Sequence, residues 1–218
     1  MTRARLLHAC VALMVLAAVV LEVVTAIRQG PGEAGTMSER LTRLFSYFTI
    51  DSNLLVGATS AALVVDPHRD GRLFRVLRLD GLLCIVVTGI VYHSVLSGNL
   101  ELSAAGAVSN FLLHSSVPIG AVAVWLLVGP RPRIDPATRW WSVALPLAWI
   151  VYTFTRGSIV GWYPYPFLDV AQVGLPRSLA NTAVVAVIFL VLARVVELLE
   201  RRLRSVPAPG QTSRQGAA

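Results

Sequence analysis

Five apolar runs dominate the chain: Leu6 to Ile27, Leu44 to Val65, Leu79 to Leu96, Ala104 to Val128 and Leu179 to Leu199. Each approaches the roughly 20 helical residues needed to cross a hydrocarbon core about 30 Å thick. A sixth run, Trp140 to Phe154, is shorter and contains Pro146, so for it to span either Arg139 and Thr155 at its ends must snorkel or the bilayer must thin. Hydrocarbon offers no water to backbone amides and carbonyls, and runs of this length satisfy them within helices. The pattern therefore predicts an all-α integral membrane protein, a bundle of six transmembrane helices. Composition agrees, with 55% hydrophobic and only 14% charged residues against the quarter usual in soluble domains. The first run has the basic start of a signal peptide, but it outlasts an ordinary apolar core of that kind and no A-x-A site follows, so it is expected to be a true span.

The charge is unevenly placed. Nineteen basic residues, all arginine, face twelve acidic ones for a formal +7. Thirteen arginines fall before the first run, after each even-numbered run, or in the tail, five fall in the alternate connections, and Arg194 lies within the last run. The positive-inside rule then predicts a multi-pass protein with both termini in the cytoplasm, and the lysine-free, arginine-only basic set suits a bacterial chain, so the bacterial cytoplasmic membrane is the expected location. Orientation accounts for the basic excess, and no nucleic-acid partner is expected. Residues 1–204 form the expected membrane domain and 205–218, rich in Pro, Gly and Ser, an expected disordered cytoplasmic tail. Cys10 and Cys84 lie inside apolar runs and suggest neither a disulfide nor a metal cluster. Oligomeric state is left open.

With this topology, polar residues from separate runs reach one depth near the outer face: Thr49, Tyr92 and His93, His114, and Tyr152 to Arg156. Each such group costs about 2.5–3.5 kcal/mol in hydrocarbon, so a shared polar pocket is expected. Ser46, Thr49, Ser52 and Asn53 form one helical stripe, with Asp51 roughly 200° round from Thr49. Asn110 and His114 share another face, and Pro118 cannot donate to the carbonyl of His114, which bends the helix there. A hydroxyl becomes a nucleophile when a base removes its proton, and Thr49 with His114 supplies that pair. Asn110, Ser115 or free amides are candidates to stabilise an oxyanion. The plainer alternatives are a threonine bonded to its own backbone and a histidine bridging helices. His93 with His114 also raises a haem or metal reading. Asp80, Glu22 and Glu197 read as ion-pair residues, Glu197 with Arg194 and Arg201. The segment "GWYPYPFLDV" reads either as an interfacial anchor or as a stiff lid placing Asp169.

Three stretches, "YFTID" around Thr49, "NFLLHSSVP" from Asn110 to Pro118 and "YPFLD" from Tyr165 to Asp169, together resemble the androgen-induced membrane hydrolase family. Its animal members cleave fatty-acid esters of hydroxy fatty acids with a threonine nucleophile and a histidine. The resemblance runs from the second span to the fifth connection and implies a membrane-embedded lipid ester hydrolase that needs no cofactor or metal, acting on a lipid ester among membrane lipids. Thr49 falls on the nucleophile and His114 on the base. Asn110 is then expected to orient His114 or assist the oxyanion, Asp169 to pair with Arg156 or His93, and Asn53 and Asp51 to support the pocket. The chain departs from the animal pattern before "YPFLD", where Arg156, Gly157 and Ser158 stand in place of histidines. A non-catalytic lipid-binding or transport protein is the alternative function, and a haem-binding membrane protein a further one.

Overall fold

A computed structural model describes residues 2–98, 102–131 and 133–203; the expected tail at 205–218 lies outside them. The described residues form helices and no strand, and six helical segments are long and apolar enough to cross a membrane. These are α1 (Arg3–Gln29), α3 (Phe48–Val65), α4 (Arg72–Val91) with its continuation to Leu96, α5 (Ala104–Phe111) continuing into α6 (Val117–Val128), α7 (Pro136–Trp141) with α8 (Ala144–Val160), and α10 (Leu175–Arg202). Two short helices, α2 (Met37–Leu44) and α9 (Val170–Val173), lie in the connections.

α1, α3, α4 and α6 make the tight part of the bundle, sharing a core of Val11, Val15, Val56, Ile85, Val117 and Val124. Gly57 sets the closest approach, since a Cβ there would lie 2.8 Å from a methyl of Val15. α10 joins through Phe189 and Ala193, packed on Leu79, Leu83 and Val87 of α4. α8 stands further out and carries exposed apolar side chains, among them Val151 and Ile159.

Arginines tie one end of the bundle together by capping helix C-termini, where carbonyls lack backbone donors and the helix dipole is negative. Arg5 reaches the carbonyl of Val65, Arg78 those of Gly129 and Pro130, and Arg131 those of Trp125 and Leu126. α4 itself begins at Arg72, ahead of the expected start at Leu79.

Two other boundaries differ from the apolar pattern. The expected second span from Leu44 is broken at 45–47: α2 ends at Leu44 and α3 begins at Phe48. In the fifth segment the helix pauses at 142–143, and α8 restarts at Ala144. Pro146, whose missing N–H would have met the Ser142 carbonyl, thus sits in a first turn where that donor has no partner to lose.

Candidate active site

Thr49 is the second residue of α3, and this position frees its hydroxyl. Within helices, hydroxyls here bond back to the carbonyl four residues earlier: Thr42 to Ser38, Thr59 to Leu55, Thr182 to Ser178. Thr49 makes no such bond, and its Oγ1 lies 3.3 Å from Nε2 of His114 and 3.2 Å from the hydroxyl of Tyr165. The plainer alternative for Thr49, a hydroxyl spent on its own backbone, does not hold.

His114 lies in a wide turn, Leu112–Ser116, between α5 and α6, in which Val117 donates to Leu112, five residues back. Such π-turns concentrate at functional sites. The turn and Pro118 together strip the Leu113 carbonyl of both backbone donors: Val117 bonds elsewhere, and Pro118 has no N–H. The sequence pointed to the neighbouring carbonyl of His114; the register change moves the gap by one residue. Nδ2 of Asn53 fills it at 3.2 Å while also donating at 2.7 Å to the Thr49 carbonyl. Asn53, fully buried, thereby clamps the turn carrying the imidazole to the turn carrying the hydroxyl.

The tautomer of His114 follows from its other nitrogen. Nδ1 lies 3.0 Å from the Asn110 carbonyl, which can only accept, so Nδ1 carries the proton and Nε2 offers its lone pair to Thr49. Tyr92 stacks on the ring, centroids 4.0 Å apart. The side-chain amide of Asn110 donates to the Tyr92 hydroxyl. Asn110 therefore orients His114 through its main chain and through Tyr92; its amide is not turned toward an oxyanion.

Tyr165 is the residue whose place in the site the sequence did not disclose; beside Trp162 and Tyr163 it read as an interfacial anchor. It is 9% exposed, and its oxygen accepts the Thr49 amide N–H at 3.2 Å. Burial pushes the phenol up to about 12, so it stays protonated and donates. The hydrogen bonds then run one way, from Tyr165 O–H to Thr49 O–H to His114 Nε2, and from Nδ1–H to Asn110. The "YPFLD" turn is pinned to α10 by Ser178 Oγ and Asn181 Nδ2, which donate to the carbonyls of Leu168 and Phe167, both at 2.8 Å.

The remaining candidates lie apart from this cluster. Asp169 does not pair with Arg156 or His93: it caps α9 by accepting the Ala171 N–H at 2.9 Å and binds Gln172. Arg156 instead bonds Glu39 of α2 at 2.6 Å and, with Arg43, flanks Trp162. His93 meets Ser115 at 3.1 Å, and with both ring nitrogens of His114 engaged the two histidines do not converge on a common point. Asp51 is exposed on the far face of α3, as its helical angle predicted. Ser52 bonds Thr88 at 2.9 Å, and Ser46 bonds Tyr152 at 2.7 Å.

Beside Thr49 opens a cavity of about 260 Å³ between α4, α8 and α10. Thr49, Thr88 and Tyr165 stand at one end and Trp140 and Leu190 at the other, with apolar side chains between. Along α8 the lining runs from Phe154 back to Pro146, a length on the order of 12 Å at the helical rise. Thr153, 3% exposed, also faces it, and its hydroxyl has no partner.

No protein-family model, curated protein or solved structure matches the chain. The fold and site by themselves define a six-helix apolar bundle with a buried hydroxyl–imidazole–phenol cluster beside an apolar cavity.

Proposed function

We propose that the chain is a membrane-embedded lipid ester hydrolase related to the androgen-induced membrane hydrolases, with Thr49 as nucleophile and His114 as general base. The observation that carries the reading is the Thr49 hydroxyl 3.3 Å from an Nε2 whose lone pair is free because Nδ1–H is held by Asn110. His114 takes the threonine proton as Oγ1 attacks the ester carbonyl. The Tyr165 phenol, already donating to Oγ1, turns to the developing oxyanion. His114 returns the proton to the departing alcohol, and water activated by the same imidazole then releases the acid. The acyl chain lies in the apolar cavity, whose lining is as apolar as the bilayer the chain leaves.

The arginine-rich end of the bundle faces the cytoplasm in this reading, as do both termini, in a bacterial cytoplasmic membrane. Thr49 then opens toward the outer leaflet, and the substrate is a lipid ester drawn from the membrane.

The test is covalent labelling of purified protein by a fluorophosphonate, mapped to Thr49, with release of acid from a panel of acyl esters. Thr49→Ala and His114→Ala abolish both. Folded wild-type protein that neither labels nor hydrolyses any ester overturns the reading. The cavity also fits a lipid carrier without chemistry; such a protein keeps its bound lipid in both variants and turns nothing over.

A further inference from the structure

At the opposite end from Thr49, α7 and α10 meet around one buried carboxylate. Glu197 is 1% exposed and accepts from Arg139, from Arg194 at 2.8 Å and from Arg201 at 2.6 Å. Three guanidiniums thus surround one carboxylate, an excess of two positive charges. The nearest other acid on α10, Glu200, is occupied by the backbone N–H groups of Arg133 and Ile134 at 3.0 and 2.7 Å. The Arg194 and Arg201 side chains are 53% and 61% exposed although Glu197 fixes their direction. Each spends one guanidinium nitrogen on Glu197, and a guanidinium has five N–H donors. Exposed Trp140, under the Arg139 guanidinium, and Trp141 flank the cluster, as aromatic residues do at a bilayer's interface. One turn before Arg194, Leu190 lines the apolar cavity together with Trp140.

We infer that Arg139, Arg194 and Arg201 form a binding site for the anionic headgroup of a membrane lipid, whose acyl chain lies against the apolar wall that begins at Trp140 and Leu190. The carboxylate of Glu197 holds the guanidiniums in a fan, and the headgroup's phosphate supplies the charge this fan lacks. The inference rests on the chain's spanning a bilayer and not on its being a hydrolase, so it stands or falls separately from the chemistry at Thr49.

The experiment compares lipid binding by native mass spectrometry and by melting temperature for protein in neutral detergent supplemented with phosphatidylglycerol or phosphatidylcholine. Wild type binds phosphatidylglycerol preferentially. The double variant Arg194→Gln/Arg201→Gln loses about twenty-fivefold of that preference, at roughly fivefold for each arginine. A charge-matched control, Arg28→Gln/Arg177→Gln at the other end of the bundle, keeps it. Equal binding of the two lipids by wild type, or a preference surviving in the double variant, overturns the site. So does inorganic phosphate raising the melting temperature as much as phosphatidylglycerol at the same concentration, because the anion alone would then be the ligand.

Discussion

Asn53 offers the sharpest test of how the site is built. Asn53→Ala removes two buried hydrogen bonds, to the carbonyls of Thr49 and Leu113. Thr49's carbonyl keeps the Ser52 hydroxyl at 3.1 Å, so Leu113 alone is orphaned. Polar contacts between membrane helices average about 0.6 kcal/mol and reach about 1.7, while a stranded buried carbonyl costs about 1–3 kcal/mol. Against this, Oδ1 of Asn53 has no partner in the native protein, and its removal returns part of the loss. The net destabilisation is about 2 kcal/mol. The origin of the Leu113 gap adds a second condition: Pro118→Ala restores an N–H to the turn, so Leu113 no longer depends on Asn53. In that background Asn53→Ala costs about 1 kcal/mol, a coupling of about 1 kcal/mol between residues whose side chains do not bond each other. Reversible unfolding in mixed SDS and neutral detergent, followed by tryptophan fluorescence, measures all four corners of the cycle. Equal costs for Asn53→Ala with and without Pro118 would refute the account of why Asn53 is there.

Tyr165→Phe leaves the fold intact and lowers kcat for ester hydrolysis about a hundredfold, since one oxyanion donor is lost; an unchanged kcat removes Tyr165 from the chemistry. Thr153→Val keeps side-chain volume while deleting a buried hydroxyl without a partner, so it stabilises by about 1 kcal/mol in the same unfolding assay. Gly157→Ala places a methyl against the Tyr163 ring and destabilises by about 1–3 kcal/mol, read as a lower melting temperature. Hydrogen bonds from Arg43 and then Arg156 hold the Glu39 carboxyl below its usual 4.5. A depressed carboxylate stabilises fully above its unfolded value, so the tie between α2 and α8 is intact above about pH 4.5 and weakens as pH falls through the lower folded value. Trp162 fluorescence, measured against single-Trp controls, follows that release, and Glu39→Gln makes it independent of pH.

The six long helices were legible because length and apolarity suffice to specify them, whereas their ends depend on particular partners. Leu44 to Val65 reads as one apolar run, yet Ser46 and Trp149 hold the break between α2 and α3: Ser46 bonds Tyr152, and its carbonyl accepts the Trp149 indole N–H at 3.1 Å. Such long-range contacts leave no local pattern. For the same reason Thr49 and His114 were found as a pair by depth and chemistry, while Tyr165 read as an anchor. Nothing in "WYPYP" separates the tyrosine that turns inward from its neighbours until Ser178 and Asn181 fix the turn. Asp169 was misassigned because an acid after a proline-rich turn looks poised for a distant cation; its near neighbours Ala171 and Gln172 satisfy it first.

In the proposed mechanism, the placement of Thr49 at the start of α3 reconciles two demands that conflict inside an apolar bundle. A hydroxyl buried there must have partners, and in mid-helix the backbone provides one at i−4, as for Thr59 and Thr182. A nucleophile must instead keep its lone pairs directed at an incoming carbon and its proton at a base. Breaking the helix at 45–47 removes the carbonyl Thr49 would have used, and the partners that replace it, His114 and Tyr165, are groups able to accept and donate protons. The cost of the break falls on Ser46, Trp149 and Tyr152, which satisfy the interrupted turn. Trp149→Phe, which removes the indole bond to the Ser46 carbonyl and keeps an aromatic ring beside Phe48, is therefore expected to lower activity more than stability. Loss of about 1 kcal/mol of stability with unchanged turnover would show that the break does not govern the position of Thr49.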